Sequence, residues 1–75
     1  MAESDARLAY MADQIARNFA IQGEEAAVTA TAEHIIAFWD PWMKQRGLAL
    51  LDAGGDALTP LARRALERVR ELIQA

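Results

Sequence analysis

Apolar residues recur at three- and four-residue spacing in four separate stretches of this chain, and the cleanest runs from Pro60 to about Gln74. There Leu61, Ala62, Ala65, Leu66, Val69, Leu72 and Ile73 share one side, opposite Arg63, Arg64, Glu67, Arg70 and Glu71. That is the pattern of a helix with one buried face. A second stripe, Leu8, Met11, Ala12, Ile15 and Phe19, predicts a helix over about 5–20, with Ser4 as its N-cap and Asp5 in its first turn. A third, Val28, Ala32, Ile35 and Trp39, predicts a helix over 24–39, with Thr31, Ile36 and Phe38 at its margins. The fourth is weaker: Met43, Gly47, Leu50 and Leu51 share a side over 41–52, with Leu48 at the edge. The internal Gly47 costs that short helix about 1 kcal/mol relative to alanine.

The breaks between these stretches have local causes. Gly23 interrupts the periodicity after Ile21-Gln22, and Ala53-Gly54-Gly55 supplies a left-handed helix cap and a turn. Asp40-Pro41 and Thr59-Pro60 repeat one device, a capping side chain followed by a proline that suits the first helical position. The segment Phe38-Trp39-Asp40-Pro41-Trp42-Met43 is therefore a corner where one helix stops and the next starts. Alternating strand patterns, internal repeats and low-complexity runs are missing from the sequence. The expected fold is all-α, one domain over 1–75, built as a small bundle of four helices joined by short turns.

The outward sides carry the candidate partner contacts. Ala26, Ala30 and Ala37 line the outer side of the second helix with Glu33 as the one charge, a surface that another helix could approach closely. Alanine there also serves simply as the best helix former. Tyr10 projects away from the first apolar stripe among Arg7, Asp13, Gln14 and Arg17. Trp39 ends an inner stripe and is expected to be buried. Trp42 falls on the side away from Met43 and Leu50, beside Gln45 and Ala49, and is expected to be exposed as an anchor for a partner unless the third helix turns back on it.

Composition narrows the chemistry. With 75 residues, 53% of them hydrophobic but only 7% aromatic, the core is expected to be thin, and association is a natural source of added stability. There is no cysteine, which removes disulfides and thiolate ligands and suits a reducing, cytoplasmic setting. The acidic start Met1-Ala2-Glu3-Ser4-Asp5 is unlike a signal peptide, and the apolar runs are too short for a membrane span. His34 is the single histidine and diverges from Glu33 by about 100° on a helix, so it reads as a surface or interface residue. Gly54-Gly55 lacks the lysine of a phosphate loop. Neither catalytic, cofactor-binding nor metal residues are expected. Residues 1–40 carry seven acids against two arginines, or −5, and residues 41–75 six bases against four acids, or +2. Because Glu67 and Glu71 interrupt the arginines of the last helix, its polar side reads as solvated or protein-facing, and nucleic acid is not expected.

Three segments together resemble the delta subunit of cytoplasmic, NAD-dependent molybdenum or tungsten formate dehydrogenases. They are Met11-Ala12-Asp13-Gln14-Ile15-Ala16-Arg17-Asn18-Phe19, then Glu33-His34-Ile35 leading into the Phe38–Met43 corner, and Gly54-Gly55 followed by Leu58-Thr59-Pro60-Leu61. The sequence departs at Trp42, where arginine is expected in relatives, and at Asp13, where asparagine is expected. The resemblance implies a non-catalytic accessory subunit. Its partners would be the larger subunits of the complex, above all the catalytic one, which would hold the molybdenum or tungsten pterin. Iron–sulfur clusters and FMN would pass electrons to NAD elsewhere in that complex. The role implied is stabilisation of the assembly, or insertion and retention of the pterin. A free-standing helical adaptor or regulator with a different protein partner is the alternative.

Overall fold

A computed structural model describes residues 2–74, with side chains from Asp5 onward. Four helices follow one another: α1 (Ala2–Phe19), α2 (Glu24–Phe38), α3 (Pro41–Asp52) and α4 (Pro60–Gln74). The described residues contain no strand, so the fold is a small all-α bundle. Its longest dimension is 33 Å.

The boundaries differ from the sequence expectation where capping was misassigned. Helix α1 begins at Ala2 and not at Asp5, so Ser4 lies within the first turn and does not cap the helix. Acids in that turn suit the positive end of the helix dipole, and the helix extends to include them. At its other end α1 closes at Phe19 and passes into a single 3-10 turn, Ala20–Gln22. Gly23 then starts α2 by accepting the Ala27 N–H through its carbonyl at 2.8 Å. Helix α2 ends at Phe38, one residue early, because Trp39 takes extended angles (φ −80°, ψ 136°) as its C-cap.

The two proline starts behave as expected. Asp40 Oδ1 accepts the Met43 N–H at 2.8 Å, and Thr59 Oγ1 accepts the Ala62 N–H at 3.3 Å. Thr59 also donates its own N–H and hydroxyl to Asp13 Oδ1, at 3.1 and 2.9 Å, which ties the start of α4 to the middle of α1. Helix α3 ends in a Schellman motif. The Gly55 N–H donates to Leu50 O and the Gly54 N–H to Leu51 O, with Gly54 at φ +110°, an angle that favours glycine.

Helices α2 and α4 make the most extensive packing in the bundle. They run in the same direction, since Arg64 meets Glu24 and Glu25 while Arg68, one turn on, meets Thr29. Helix α3 runs against α4, with Arg63 donating to Gly55 O and Arg70 to Leu48 O. The core gathers Leu8, Ala12, Ala32, Ile35, Trp39, Leu66 and Val69 from all sides. The expected α2 stripe of Val28, Ala32, Ile35 and Trp39 is buried throughout.

Three packing details correct the helical-wheel reading. Ala9 and Ala16 are buried although the stripe omitted them, because small residues let the neighbouring helices come close. Leu72 and Ile73 are about half exposed, and Ile73 lines a shallow surface groove with Leu48 and Pro41 of α3. Gly47 is more than a weak point in α3. It is buried, and an added Cβ would lie 3.2 Å from Trp39 and 3.3 Å from Leu66, so its bare backbone is the floor on which the indole rests.

Candidate functional site

The outer arc of α2 is where most of the expected partner contacts meet. At about 100° per residue, Ala26, Ala30, Glu33 and Ala37 fall within one narrow arc, and His34 and then Phe38 border it. Ala26, Glu33 and Ala37 are exposed, while Ala30 and His34 are half-buried. The His34 ring lies 4.7 Å from that of Phe38, tilted by 39°, and 6.5 Å from that of Phe19 in an edge-on arrangement. Phe38 itself is 73% exposed. Three rings therefore cross the surface from the end of α1 to the corner, beside an alanine strip with one charge.

The corner fixes this row in place. Trp39, 5% exposed, is locked over Gly47 directly after Phe38. Lys44 Nζ donates to Ile36 O at 3.2 Å, so a cation from α3 satisfies a carbonyl at the negative end of α2. Phe38 thus stands at the end of a helix tethered on both sides, and its exposure is a feature of a rigid element.

Sequence reasoning gathered some of this surface and missed the rest. Ala26, Ala30, Glu33, His34 and Ala37 do come together. Phe38, expected at the inner margin, and Phe19, expected in the core, both join the outward row, Phe19 half-buried and Phe38 exposed. The four-residue spacing of His34 and Phe38 was a usable signal, because such pairs are neighbours on a helix. Nothing local in the sequence brings Phe19 to them. Tyr10 and Trp42 are exposed as expected, at 63% and 52%, but on other faces: Tyr10 on the outer side of α1, Trp42 on that of α3. Trp39, Asp40, Pro41, Thr59 and Pro60 hold the structural positions assigned to them.

The polar side of α4 is not a separate site. Arg64 is hydrogen-bonded to both Glu24 and Glu25, Arg70 meets Asp52 at 2.7 Å, and Arg68 meets Glu71 at 3.2 Å. Across the bundle Arg46 meets Asp5 at 2.6 Å. The uneven charge of the two halves is therefore largely internal complementarity. The hydrogen bond from Arg64 holds the Glu25 carboxyl below its usual range, and the hydrogen bond to Glu25 raises the Arg64 guanidinium. Both groups are at the surface, so salt screens the interaction.

No described helix is long and apolar enough to cross a membrane, and among the described residues no three histidine, cysteine or carboxylate side chains gather as a metal set. What the α2 surface offers is apolar and aromatic contact with a few polar groups at its edge. No curated protein and no solved structure matches the chain. The model of one family, described as the NADH-dependent formate dehydrogenase delta subunit FdsD, spans residues 7–66. That span takes in the α1 segment, the outer arc of α2, the corner and the start of α4, and the chain belongs to this family.

Proposed function

We propose that this chain is a non-catalytic accessory subunit of an NAD-dependent formate dehydrogenase, and that it docks on a larger subunit through the outer face of α2. The observation that carries the docking face is the row Phe19, His34 and Phe38, with its most exposed ring beside an alanine strip. Aromatic residues in a mostly uncharged patch are the usual anchors of such contacts. Trp42 is a second anchor beyond the corner, and the larger subunit that fits the reading best is the catalytic one.

The family implies a complex with a molybdenum or tungsten pterin, iron–sulfur clusters, FMN and NAD. This chain's own residues do not fit any metal or cluster among these, having no cysteine and, among the described residues, no gathered set of ligands. We assign those groups to the larger subunits and the delta role to stabilising the assembly or assisting pterin insertion and retention. Binding a partner only in the folded form would also stabilise a chain this small by mass action. The zero cysteine count suits work in the cytoplasm.

Co-purification from native lysate tests the reading. The wild-type chain should recover a molybdenum- or tungsten-bearing subunit, and a His34→Ala/Phe38→Ala variant with unchanged circular dichroism should not. Recovery of a different protein instead would favour a free-standing adaptor.

A further inference from the structure

We infer that the outer face of α1 is a second docking surface, one that takes a carboxylate-rich patch of a partner protein in the same assembly. Six of the eight bases in the chain are engaged internally. Arg46, Arg64, Arg68 and Arg70 pair with acids, and Lys44 and Arg63 donate to backbone carbonyls. The two that remain, Arg7 and Arg17, are exposed, and neither meets an acid among the described residues. Both lie on α1.

Their placement is what makes a surface of them. At about 100° per residue, Arg17, Tyr10, Gln14 and Arg7 fall within an arc of about 80°, opposite Leu8, Ala12 and Ala16 of the core. The two arginines stand ten residues apart, about 15 Å along the helix axis. Between them stands the Tyr10 ring, 63% exposed. Gln14 Nε2 donates to Tyr10 Oη at 2.9 Å, which steadies the ring and leaves the phenol proton free to donate outward.

The described acids nearby on α1, Asp5 and Asp13, are engaged elsewhere. Asp5 is held by Arg46, and Asp13 accepts two hydrogen bonds from Thr59. Glu3, one turn before Arg7 in the sequence, has its side chain outside the described residues. The face thus presents two guanidiniums and a phenol O–H, all donors, and the matching acceptor is an ionised carboxylate, which Arg binds in a forked geometry. Arginine and tyrosine are also among the residues enriched at interface hot spots. In a chain of net charge −3, this face is cationic against the general field, so an acidic partner surface is both attracted and oriented by it.

The inference rests on the chain being part of a larger assembly, and its test separates the two. The assembled complex is reconstituted with wild-type chain, Arg7→Glu/Arg17→Glu, Arg7→Lys/Arg17→Lys and Phe38→Ala, and association is timed from about 50 mM to about 1 M salt, where screening shortens to about 3 Å. Charge reversal is expected to slow association at least tenfold at low salt, with the loss vanishing at high salt, and the lysine pair is expected to keep most of the rate. Phe38→Ala is expected to weaken binding at all salt concentrations. Charge reversal that leaves rate and salt dependence unchanged while Phe38→Ala still weakens binding would overturn this inference alone. Failure of the wild-type chain to assemble overturns both readings. A concentration-dependent dimer of the isolated chain that charge reversal abolishes would assign the face to a second copy and overturn it as well.

Discussion

Gly47→Ala is the substitution whose sign depends most on the packing described. A Cβ at this position would sit 3.2 Å from Trp39 Cζ3 and 3.3 Å from Leu66 Cδ2, inside the roughly 3.5–4.0 Å at which carbons pack best. Both neighbours are buried, Trp39 at 5% exposure and Leu66 at 1%, so any shift of either must be taken up by a close-packed core. Helix propensity alone would make alanine better by about 1 kcal/mol at a mid-helix position. Forcing a methyl into a filled core costs about 1–3 kcal/mol. The balance is a net loss of about 1 kcal/mol, or about 4–8 °C in Tm for a chain of this size. Urea unfolding followed by circular dichroism measures it. The control is the same change in a Trp39→Leu background, where the ring edge is gone and Gly47→Ala should stabilise; the cycle should give a coupling of about 1–2 kcal/mol. A wild-type background in which Gly47→Ala stabilises by about 1 kcal/mol would refute the close approach of indole and backbone.

Trp39→Ala should cost about 3–5 kcal/mol, as large core truncations do, and unfold much of the population, whereas Trp42→Ala should keep its helical circular dichroism and weaken assembly. A reversed outcome in the two mutants would show that the tryptophans were assigned to the wrong environments. Asp13→Ala should lose about 1–2 kcal/mol through the two Thr59 donors it abandons, while Asp13→Asn, which keeps an acceptor oxygen, should stay near wild type in thermal melts. Thr31 is fully buried and its hydroxyl has no partner among the described residues, so the isosteric Thr31→Val should stabilise by about 1 kcal/mol in urea; a clear loss would mean that the hydroxyl is hydrogen-bonded. Because the folded carboxyl of Glu25 is held below 4.5, its contribution is present above that value and disappears as pH falls through the lowered one. Glu25→Gln should therefore flatten the acid limb of the stability profile at low salt, and an unchanged limb would dismiss the Arg64 contact.

Helix positions were legible because their signals are local. Asp40-Pro41 and Thr59-Pro60 each carry their own cap, and the stripe ending at Trp39 faces inward even though that residue leaves the helix. What depends on two distant segments was not legible. The role of Gly47 rests on the indole reaching it from across the corner, so propensity alone read it as a defect. Leu72 and Ile73 continue a perfect apolar period, but how much of it is covered depends on how closely α3 approaches, and both stay about half exposed. The same holds for the candidate surface. The alanine arc and His34 could be read from α2 itself, whereas Phe19 joins the row only through the fold. The basic half of the chain suggested an outward face, yet its arginines find Glu24, Glu25 and Asp5 about 40 residues earlier in the sequence.

The most direct test of the docking face is a photo-crosslink from the assembled formate dehydrogenase. A benzophenone amino acid replaces Glu33, at the rim of the α2 strip where it displaces none of the three rings, and in a second sample replaces Asp56 in the exposed turn before α4. The Glu33 position should crosslink to a larger subunit of the complex and the Asp56 position should not. A complex that forms normally but crosslinks only from Asp56 would contradict the assignment of the docking face to α2.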